Sequence, residues 1–335
     1  MTTARMERLD VRLLLVALMF TMLALTGWAV RANAADTCSH RGDLDPIFCD
    51  DDLDMVADLP ADKSKWLDPD VLFFSYTPVE DPAIYVNMFK PFLDHLEKVT
   101  GKRVRYFTAQ SYAAQIEAMR SGRLHIAGIS TGPTAFAVNL AGYVPFALMG
   151  TDKGQFGYKL QVIVPADSSI QKIQDLKGHT VAHTEESSNS GNQAPRALFP
   201  PYGITPGKDY KVIYSGGHDR SVLGVAHKDY EAANIASEVM ERMFDRGVVK
   251  RKDIRVVWES DPFPTTSFGE AYNLDPVLAR KIRKAFFTFK FEGTPLGKEF
   301  STVDKFIPIT YKQQWSVIRQ IQKHNGIKYT REGLK

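Results

Sequence analysis

Two stretches of small polar residues could hold an anion. The first, TEESSNSG at residues 184–191, precedes a run with helical character, NQAPRALF. Backbone N–H groups at the start of a helix have no acceptor within the helix, and the helix dipole favours negative charge there. Ser188, Asn189 and Ser190 add short polar side chains without blocking those N–H groups. The stretch therefore predicts an oxyanion site, with a simple capped helix start as the alternative.

The second stretch is GISTG at residues 128–132, between a predicted strand and a predicted helix. It matches the G-x-S-x-G turn of serine hydrolases, in which Ser130 would be the nucleophile. A hydrolase would also need an acid and a histidine downstream, and His218, His227 and His324 are available. Pro133 equally suits an ordinary helix start that offers Ser130 and Thr131 to an anion. We favour the anion site, because the two stretches fall in different halves of the chain and could face one ligand.

Other residues could complete such a site. His218 follows two glycines at a predicted strand end, where its ring could donate a hydrogen bond to an anion. Tyr112 and Tyr158 each offer a hydroxyl and an apolar wall. Glu238, at the start of a predicted helix, is either a partner of the helix dipole or a ligand contact. The sequence contains no P-loop, G-x-G-x-x-G or H-E-x-x-H motif, so machinery for phosphoryl or hydride transfer is not visible.

The elements that position these residues alternate between β-rich and helical runs from residue 70 onward. VLFFSY, RVRYFTA and LHIAGIS are typical of strands, and YKLQVIVP opens a second unit in which IQKIQDLKG is expected to be a helix. The rhythm predicts an α/β fold of two lobes, each a mainly parallel sheet flanked by helices. We expect lobe one at residues 70–155 and 268–335 and lobe two at 156–267. Crossings near 154–160 and 260–272 would leave the ligand site in the cleft.

The first 34 residues have the pattern of a secretory signal peptide. Arginines precede the apolar run LLLVALMFTMLALTGW, and the small residues ANAA follow, which predicts cleavage after Ala34. An uncleaved membrane anchor is the alternative. Cleavage removes four arginines and two acidic residues, so the formal net charge falls from +3 to +1. That charge is too small to favour a nucleic-acid partner.

Residues 35–69 are expected to form an N-terminal extension that contains both cysteines of the chain. Cys38 and Cys49 lie close in sequence, and in an exported protein such a pair most simply forms a disulfide. A metal site that adds His40 and the acidic residues 50–52 is the alternative, although the spacing matches no standard zinc site.

Several longer stretches resemble one family, the periplasmic phosphonate- and phosphite-binding subunits of ABC importers. The resemblance runs from about Leu72 to Asn325 and rests on SYAAQIEAMRSGRLHIAG, GYKLQVIVPADSSI, SSNSG, SGGHDRSVLGVAHKDYEAA and VVWESDPFPTTSFG. It implies a two-lobed, monomeric, periplasmic binding protein without a cofactor, which delivers a small phosphorus oxyanion to a membrane permease and is not an enzyme. A phosphate or sulfate carrier of similar architecture is the first alternative, and a secreted serine hydrolase that uses Ser130 is the second.

The resemblance also implies roles for individual residues. In such proteins the phosphonate oxygens lie on a helix start that matches residues 188–190, beside residues matching His218, Tyr112 and Tyr158, while an acid matching Glu238 lies near the organic end of the ligand. Relatives that take an aminoalkyl phosphonate have a second acid at about the position of Thr266, and here FPTTSF contains no acid. Glu185 and Glu186 add negative charge beside the expected anion site. The substituent on phosphorus is left open.

Overall fold

The computed structural model describes residues 38–155 and 157–334. These residues form two main sheets, and we define lobe one by the larger sheet and lobe two by the smaller. The strand order in lobe one is β14-β4-β13-β3-β1-β2, with β5 paired to β4, and in lobe two it is β11-β7-β10-β8-β9. The strands of lobe one are β1 (Val71–Tyr76), β2 (Arg103–Tyr106), β3 (Ile126–Ile129), β4 (Tyr143–Thr151), β5 (Gly154–Gln155), β13 (Ser267–Ala271) and β14 (Lys305–Pro308). Those of lobe two are β7 (Leu160–Pro165), β8 (Thr180–His183), β9 (Lys211–Tyr214), β10 (Ala232–Ala236) and β11 (Ile254–Glu259).

Helices cover both sheets. Those that follow lobe-one strands are α1 (Ala83–Thr100), α2 (Tyr112–Arg120), α3 (Thr131–Ala141), α7 (Pro276–Thr288), α8 (Pro295–Glu299), α9 (Tyr311–Gln314) and α10 (Ser316–His324). Those of lobe two are α4 (Ala194–Leu198), α5 (His218–Ala226) and α6 (Ser237–Asp245). Local signals set several ends. The Ser111 side chain caps α2 by accepting the N–H of Ala114, and α1 ends at Gly101, whose φ of 75° is in the left-handed region.

The core of lobe one is rich in aromatic rings. Phe74 packs against Phe92 of α1, and Phe268 of β13 packs against Phe286 of α7, with ring centroids 5.6 and 5.8 Å apart. All four side chains are fully buried, and each such burial contributes roughly 1.5–3 kcal/mol. This packing fixes the sheet from which the lobe-one part of the site projects.

The two predicted α/β lobes are present as two sheets flanked by helices, but the expectation of mainly parallel sheets is wrong. In lobe one β1 pairs in parallel with β2 and β3, whereas the pairs that involve β13, β4, β14 and β5 are antiparallel. Lobe two is also mixed, because β7 is antiparallel to both β10 and β11. β7 and β13 are the strands that enter each sheet after a crossing from the other lobe. Each enters at the edge where the parallel strands end, so it runs antiparallel to its neighbour there.

Two other sequence expectations need correction. YKLQVIVP divides at Lys159 into β6 (Gly157–Tyr158) and β7, because β6 pairs with β12 (Phe263–Pro264) instead of joining the lobe-two sheet. This small antiparallel sheet ties together the two expected crossings. IQKIQDLKG forms only a short 3-10 turn, Ile173–Leu176. Asp175 accepts the N–H groups of Gln171 and Lys172 there, which closes a local turn instead of a longer helix.

The N-terminal extension packs against lobe one. The Phe48 ring contacts the Tyr272 ring at 4.8 Å, and the N–H of Asp45 donates to the carbonyl of Asn139 at 2.8 Å. Cys38 and Cys49 are joined in a disulfide, as predicted, so neither sulfur is free to bind a metal as a thiolate. The predicted signal peptide lies outside the described residues. Among the helices of the described residues, none combines the length and the apolar character needed to cross a bilayer.

Candidate functional site

The first anion stretch forms a helical turn at the carboxyl end of β8. Asn189–Gln193 form a π-helical turn that leads into α4, and Ser188 occupies the position before it. Ser188 Oγ accepts the N–H of Gly191 at 3.1 Å. Because the first N–H groups of a helical segment have no acceptor within it, those of Asn189 and Ser190 are available to a ligand. The sequence prediction of a helix start is confirmed, although its first turn is π-helical.

This turn is buried and holds polar atoms without a partner. Ser188, Asn189 and Ser190 are each only 1% exposed. Asn189 Oδ1 and Ser190 Oγ are shielded from solvent and have no hydrogen-bond partner among the described residues. An unsatisfied buried polar group costs about 1–3 kcal/mol, so it calls for an explanation. A polar ligand that enters the cleft would satisfy the Ser190 hydroxyl.

His218 lies beside the turn as the first residue of α5. Its Nδ1 accepts the N–H of Ala236 at 3.0 Å, which places the proton of the neutral ring on Nε2. Nε2 lies 3.4 Å from Ser188 Oγ and so faces the anion-binding turn. Burial lowers the pKa of His218 to about 3, despite the opposing effect of Glu80. The ring is therefore a neutral hydrogen-bond donor.

The second anion stretch approaches this turn from lobe one. Ser130 precedes α3 and makes no side-chain capping bond to it, and it lies beside the Tyr112 hydroxyl. At Gly132 the two lobes nearly touch. A Cβ there would lie 2.1 Å from the carbonyl oxygen of Ser187 and 2.7 Å from the backbone nitrogen of Asn189. Only glycine permits this approach, so the structure brings the two sequence-predicted stretches together.

Tyr158 links the crossing to the turn. Its hydroxyl accepts a hydrogen bond from Asn189 Nδ2 at 3.0 Å and lies beside Thr131 and Ser190. Burial raises the pKa of Tyr158 to about 12, so the hydroxyl keeps its proton as a donor. The Thr131 hydroxyl instead donates to the carbonyl of Pro264 at 2.8 Å. Thr131 was expected to donate its hydroxyl proton to the ligand, but that proton holds the crossing in place instead.

Acidic and hydroxyl groups lie at the other end of the site. Glu238 begins α6, and its Oε2 is shielded from solvent without a hydrogen-bond partner among the described residues. Burial raises the pKa of Glu238 to about 7, against the attraction of Arg242. The Thr266 hydroxyl lies 3.4 Å from that of Tyr76. A cavity of about 180 Å³ borders this end and is lined in part by Glu238, Arg242 and Glu299.

The two acids of the first stretch take different directions. Glu186 is exposed, and only its backbone carbonyl serves the turn, by accepting hydrogen bonds from the side chains of Asn192 and Gln193. The Glu185 carboxylate lies against lobe one, where it accepts the backbone N–H of Tyr112 at 3.4 Å. Burial raises the pKa of Glu185 to about 7. It therefore marks a contact between the lobes.

Sequence reasoning missed the residues that hold the lobe-one face in place. Trp315 Nε1 donates to the carbonyl of Thr131 at 2.8 Å, and Gln322 Nε2 donates to that of Gly132 at 3.0 Å. Asn325, just after α10, donates to the Gln193 carbonyl of lobe two at 2.8 Å. Nothing in the local pattern of the C-terminal helices identifies these contacts, since their partners lie more than 130 residues earlier.

Comparison with known proteins identifies the family. Residues 74–315 match the family described as "ABC transporter, phosphonate, periplasmic substrate-binding protein". This chain belongs to that family. It is accordingly the substrate-binding component of an ABC importer.

The names of similar proteins specify different ligands. The chain is 28% identical over 231 residues to the phosphate-import protein PhnD of Mycolicibacterium smegmatis, covering 65% of this chain and 71% of the relative. It is 29% identical over 222 residues to the phosphonates-binding periplasmic protein of Escherichia coli, covering 65% of this chain and 66% of that relative. A solved binding-protein component of an ABC phosphonate transporter from Pseudomonas aeruginosa superimposes with a TM-score of 0.70 at 26% identity. The match covers 78% of this chain and 88% of that protein. The chain thus matches about two thirds of the length of the Mycolicibacterium smegmatis and Escherichia coli relatives.

Proposed function

We propose that this protein captures a phosphonate or phosphite between its lobes and delivers it to an inner-membrane permease. It reaches the periplasm by the signal peptide and acts as a monomer, without a nucleic-acid partner. One observation carries the choice of ligand. Neutral donors from Ser188, the π-helical turn and His218 converge on one buried place, which also holds the unpartnered Ser190 hydroxyl.

The geometry favours a ligand with several oxygen acceptors. The turn offers backbone N–H groups and serine hydroxyls from lobe two, and His218 offers Nε2–H from its side. Tyr158 and Tyr112 keep their protons, because burial raises the pKa of each. A tetrahedral oxyanion can accept from all these directions at once, and hydrogen bonds to a charged partner contribute roughly 1.5–3 kcal/mol each.

The same geometry argues against hydrolysis. A serine nucleophile needs a base that takes its proton. His218 is close to Ser188, but its Nε2 already carries the proton, since Nδ1 accepts from Ala236. Ser130 lies beside the Tyr112 hydroxyl, whose pKa burial raises far above neutrality, so this hydroxyl is no base either. We infer a carrier that binds the anion unchanged.

A phosphate carrier is the second candidate. It is favoured by the name of the mycobacterial relative. Glu238 separates phosphate only from sulfate, because its unpartnered Oε2 could accept a hydrogen bond from a protonated phosphate or phosphonate oxygen. Sulfate is fully ionised at neutral pH and has no proton to offer that group.

The test is calorimetric titration of the mature protein with methylphosphonate, phosphite, aminoethylphosphonate, phosphate and sulfate. We expect at least one phosphorus compound with carbon or hydrogen on phosphorus to bind more tightly than phosphate and sulfate. Tighter binding of phosphate would select the second candidate. Absence of binding to any of these anions, or covalent labelling of Ser130 or Ser188 by a fluorophosphonate probe, would overturn the carrier proposal.

A further inference from the structure

Four charged residues outside the anion site form a cluster across the two lobes. Glu80 follows β1 and Glu299 ends α8, so both acids belong to lobe one. Arg242 is on α6 and Arg246 follows it, so both guanidinium groups belong to lobe two. Arg242 Nη2 lies 2.7 Å from Glu80 Oε1, and Arg246 Nη1 lies 2.7 Å from Glu299 Oε1. Arg246 also pairs with Glu80, and Arg242 with Glu299.

The cluster is largely removed from water. The side chains of Glu80 and Arg242 are 2% and 7% exposed, and those of Glu299 and Arg246 are 14% and 27% exposed. Removing one partner from such a group leaves an uncompensated buried charge, which is costly even where the intact pair contributes little. The charges balance within the cluster, because two carboxylates meet two guanidinium groups.

Attraction outweighs desolvation at the centre of this cluster. Burial by itself would raise the pKa of Glu80, but Arg242 and Arg246 together hold it below its usual value. The Tyr85 hydroxyl donates to Glu80 Oε1 at 2.9 Å and so fixes the carboxylate within lobe one. The Arg242 guanidinium also lies 4.9 Å from the centre of the Phe300 ring, again on lobe one. Lobe one thus supplies a carboxylate held by Tyr85 and the aromatic ring of Phe300, which both contact the Arg242 guanidinium of lobe two.

All four ion pairs join one lobe to the other, so separation of the lobes breaks every one of them. The cluster is also joined to the ligand site through α6, since Arg242 lies one helical turn after Glu238. We propose that these four residues are a closure latch, which stabilises the closed arrangement and slows release of the bound anion. The effect on release rests on the proposed function, whereas the effect on closure does not.

The chain provides a matched control within lobe two. Arg251 pairs with Glu241 of α6, with Nη1 and Oε1 2.9 Å apart. Both side chains are exposed and both belong to lobe two, so this pair does not change when the lobes separate. Arg246→Gln and Arg251→Gln therefore remove the same kind of charge near the same helix, but only the first removes a contact between lobes.

The first experiment measures release rates of methylphosphonate and phosphite by stopped flow. We expect Arg246→Gln and Glu299→Gln each to raise the release rate about tenfold, because truncation of a buried charge pair acts mainly on dissociation. The double variant should raise the rate by less than the product of the two single effects, since both variants remove the Arg246–Glu299 pair. Arg251→Gln should change the rate less than about twofold. Equal rates for Arg246→Gln and Arg251→Gln would overturn the latch.

A second experiment needs no ligand. Spin labels at Lys98→Cys on lobe one and Lys208→Cys on lobe two, both exposed, report the distance between lobes. In the ligand-free protein we expect a closed population that Arg246→Gln decreases and Arg251→Gln leaves unchanged. If neither methylphosphonate nor phosphite binds, the proposed function fails while this measurement still decides the latch. A distance distribution that Arg246→Gln does not alter, or one without any closed population in the wild type, overturns it.

Discussion

The two ends of the cleft hold charge in opposite ways. Around the π-helical turn, the protein offers neutral donors: serine hydroxyls, backbone N–H groups and a His218 ring whose proton is fixed on Nε2. At the end of the cleft beside Glu238, it places Glu80, Glu299, Arg242 and Arg246, which are paired with one another. Among the described residues, none of the groups named at the π-helical turn is a fixed cation, and the guanidinium groups of Arg242 and Arg246 are paired with carboxylates.

The difference shows how affinity and closure can be separated. Neutral donors lose less solvation on burial than ions do, so a dry oxyanion site can be assembled from them at low cost. A buried ion pair that loses only one partner leaves an uncompensated charge, which destabilises the protein. Such pairs therefore suit an interface whose contacts form or separate together. Recognition would then depend on the turn, and the lifetime of the complex on the ion pairs.

The largest expected effect on ligand affinity comes from a substitution that forces the two lobes apart at the anion site. Gly132→Ala places a Cβ 2.1 Å from the carbonyl of Ser187 on lobe two, and backbone cannot give way as a flexible side chain can. We expect affinity for the best ligand to fall more than roughly a hundredfold, equivalent to about 3 kcal/mol. Calorimetric titration measures it.

The control for Gly132→Ala is thermal unfolding without ligand. The clash lies between lobes and not within one, so the melting temperature should stay near that of the wild type. Wild-type affinity in this variant would mean that the ligand-bound arrangement does not include the close approach at Gly132.

The next effect concerns the neutral donor. His218→Ala removes Nε2–H and should weaken binding about ten- to a hundredfold, the loss expected for one hydrogen bond to a charged partner. Because the pKa of His218 is about 3, the ring is neutral in both conditions and the loss should be equal at pH 5.5 and pH 8. His227→Ala, at the exposed far end of the same helix, is the control. A loss that appears only at the lower pH would show that a charged ring binds the ligand.

Glu238, at the acidic end of the cleft, should make the stability of the protein depend on pH. The folded pKa of Glu238, about 7, lies above the usual glutamate value of 4.5, so the folded state holds this proton more tightly than the unfolded state. Its contribution is complete below about pH 4.5 and is lost as pH rises through 7. Glu238→Gln mimics the protonated group and should remove this loss, which we place at about 2 kcal/mol after allowing for partial exposure. Denaturant unfolding at pH 5 and pH 8 measures it, and equal pH dependence in both proteins would contradict it.

The smallest effect tests selectivity at the same end. Thr266→Asp adds a carboxylate beside the Tyr76 hydroxyl and should attract an ammonium group on the ligand. We expect aminoethylphosphonate to gain about fivefold in affinity relative to methylphosphonate, a change of about 1 kcal/mol. Thr266→Asn, similar in size but neutral, is the control. Equal relative affinities in the two variants would show that the ligand substituent does not reach this position.

Prediction from sequence succeeded where local patterns carry the information. The strand β1 coincides with VLFFSY, and Glu238 lies in the first turn of α6, as expected. It failed for IQKIQDLKG, where Asp175 closes a local turn, and for strand direction, because a local pattern does not record from which lobe the chain returns. Thr131 was expected to donate to the ligand, but Pro264, 133 residues later, accepts its proton instead.

The sequence by itself determined the residue types of the site and the family to which the chain belongs. Small polar residues at 188–190, a histidine after two glycines and the missing acid at Thr266 are properties of short segments, so they can be read without a fold. Only the tertiary structure decided which donors are charged and which residues meet. The proton of His218 is placed by Ala236, and the partners of Arg242 and Arg246 come from residues 80 and 299. Burial and long-range pairing set these properties, and both depend on how distant parts of the chain pack together.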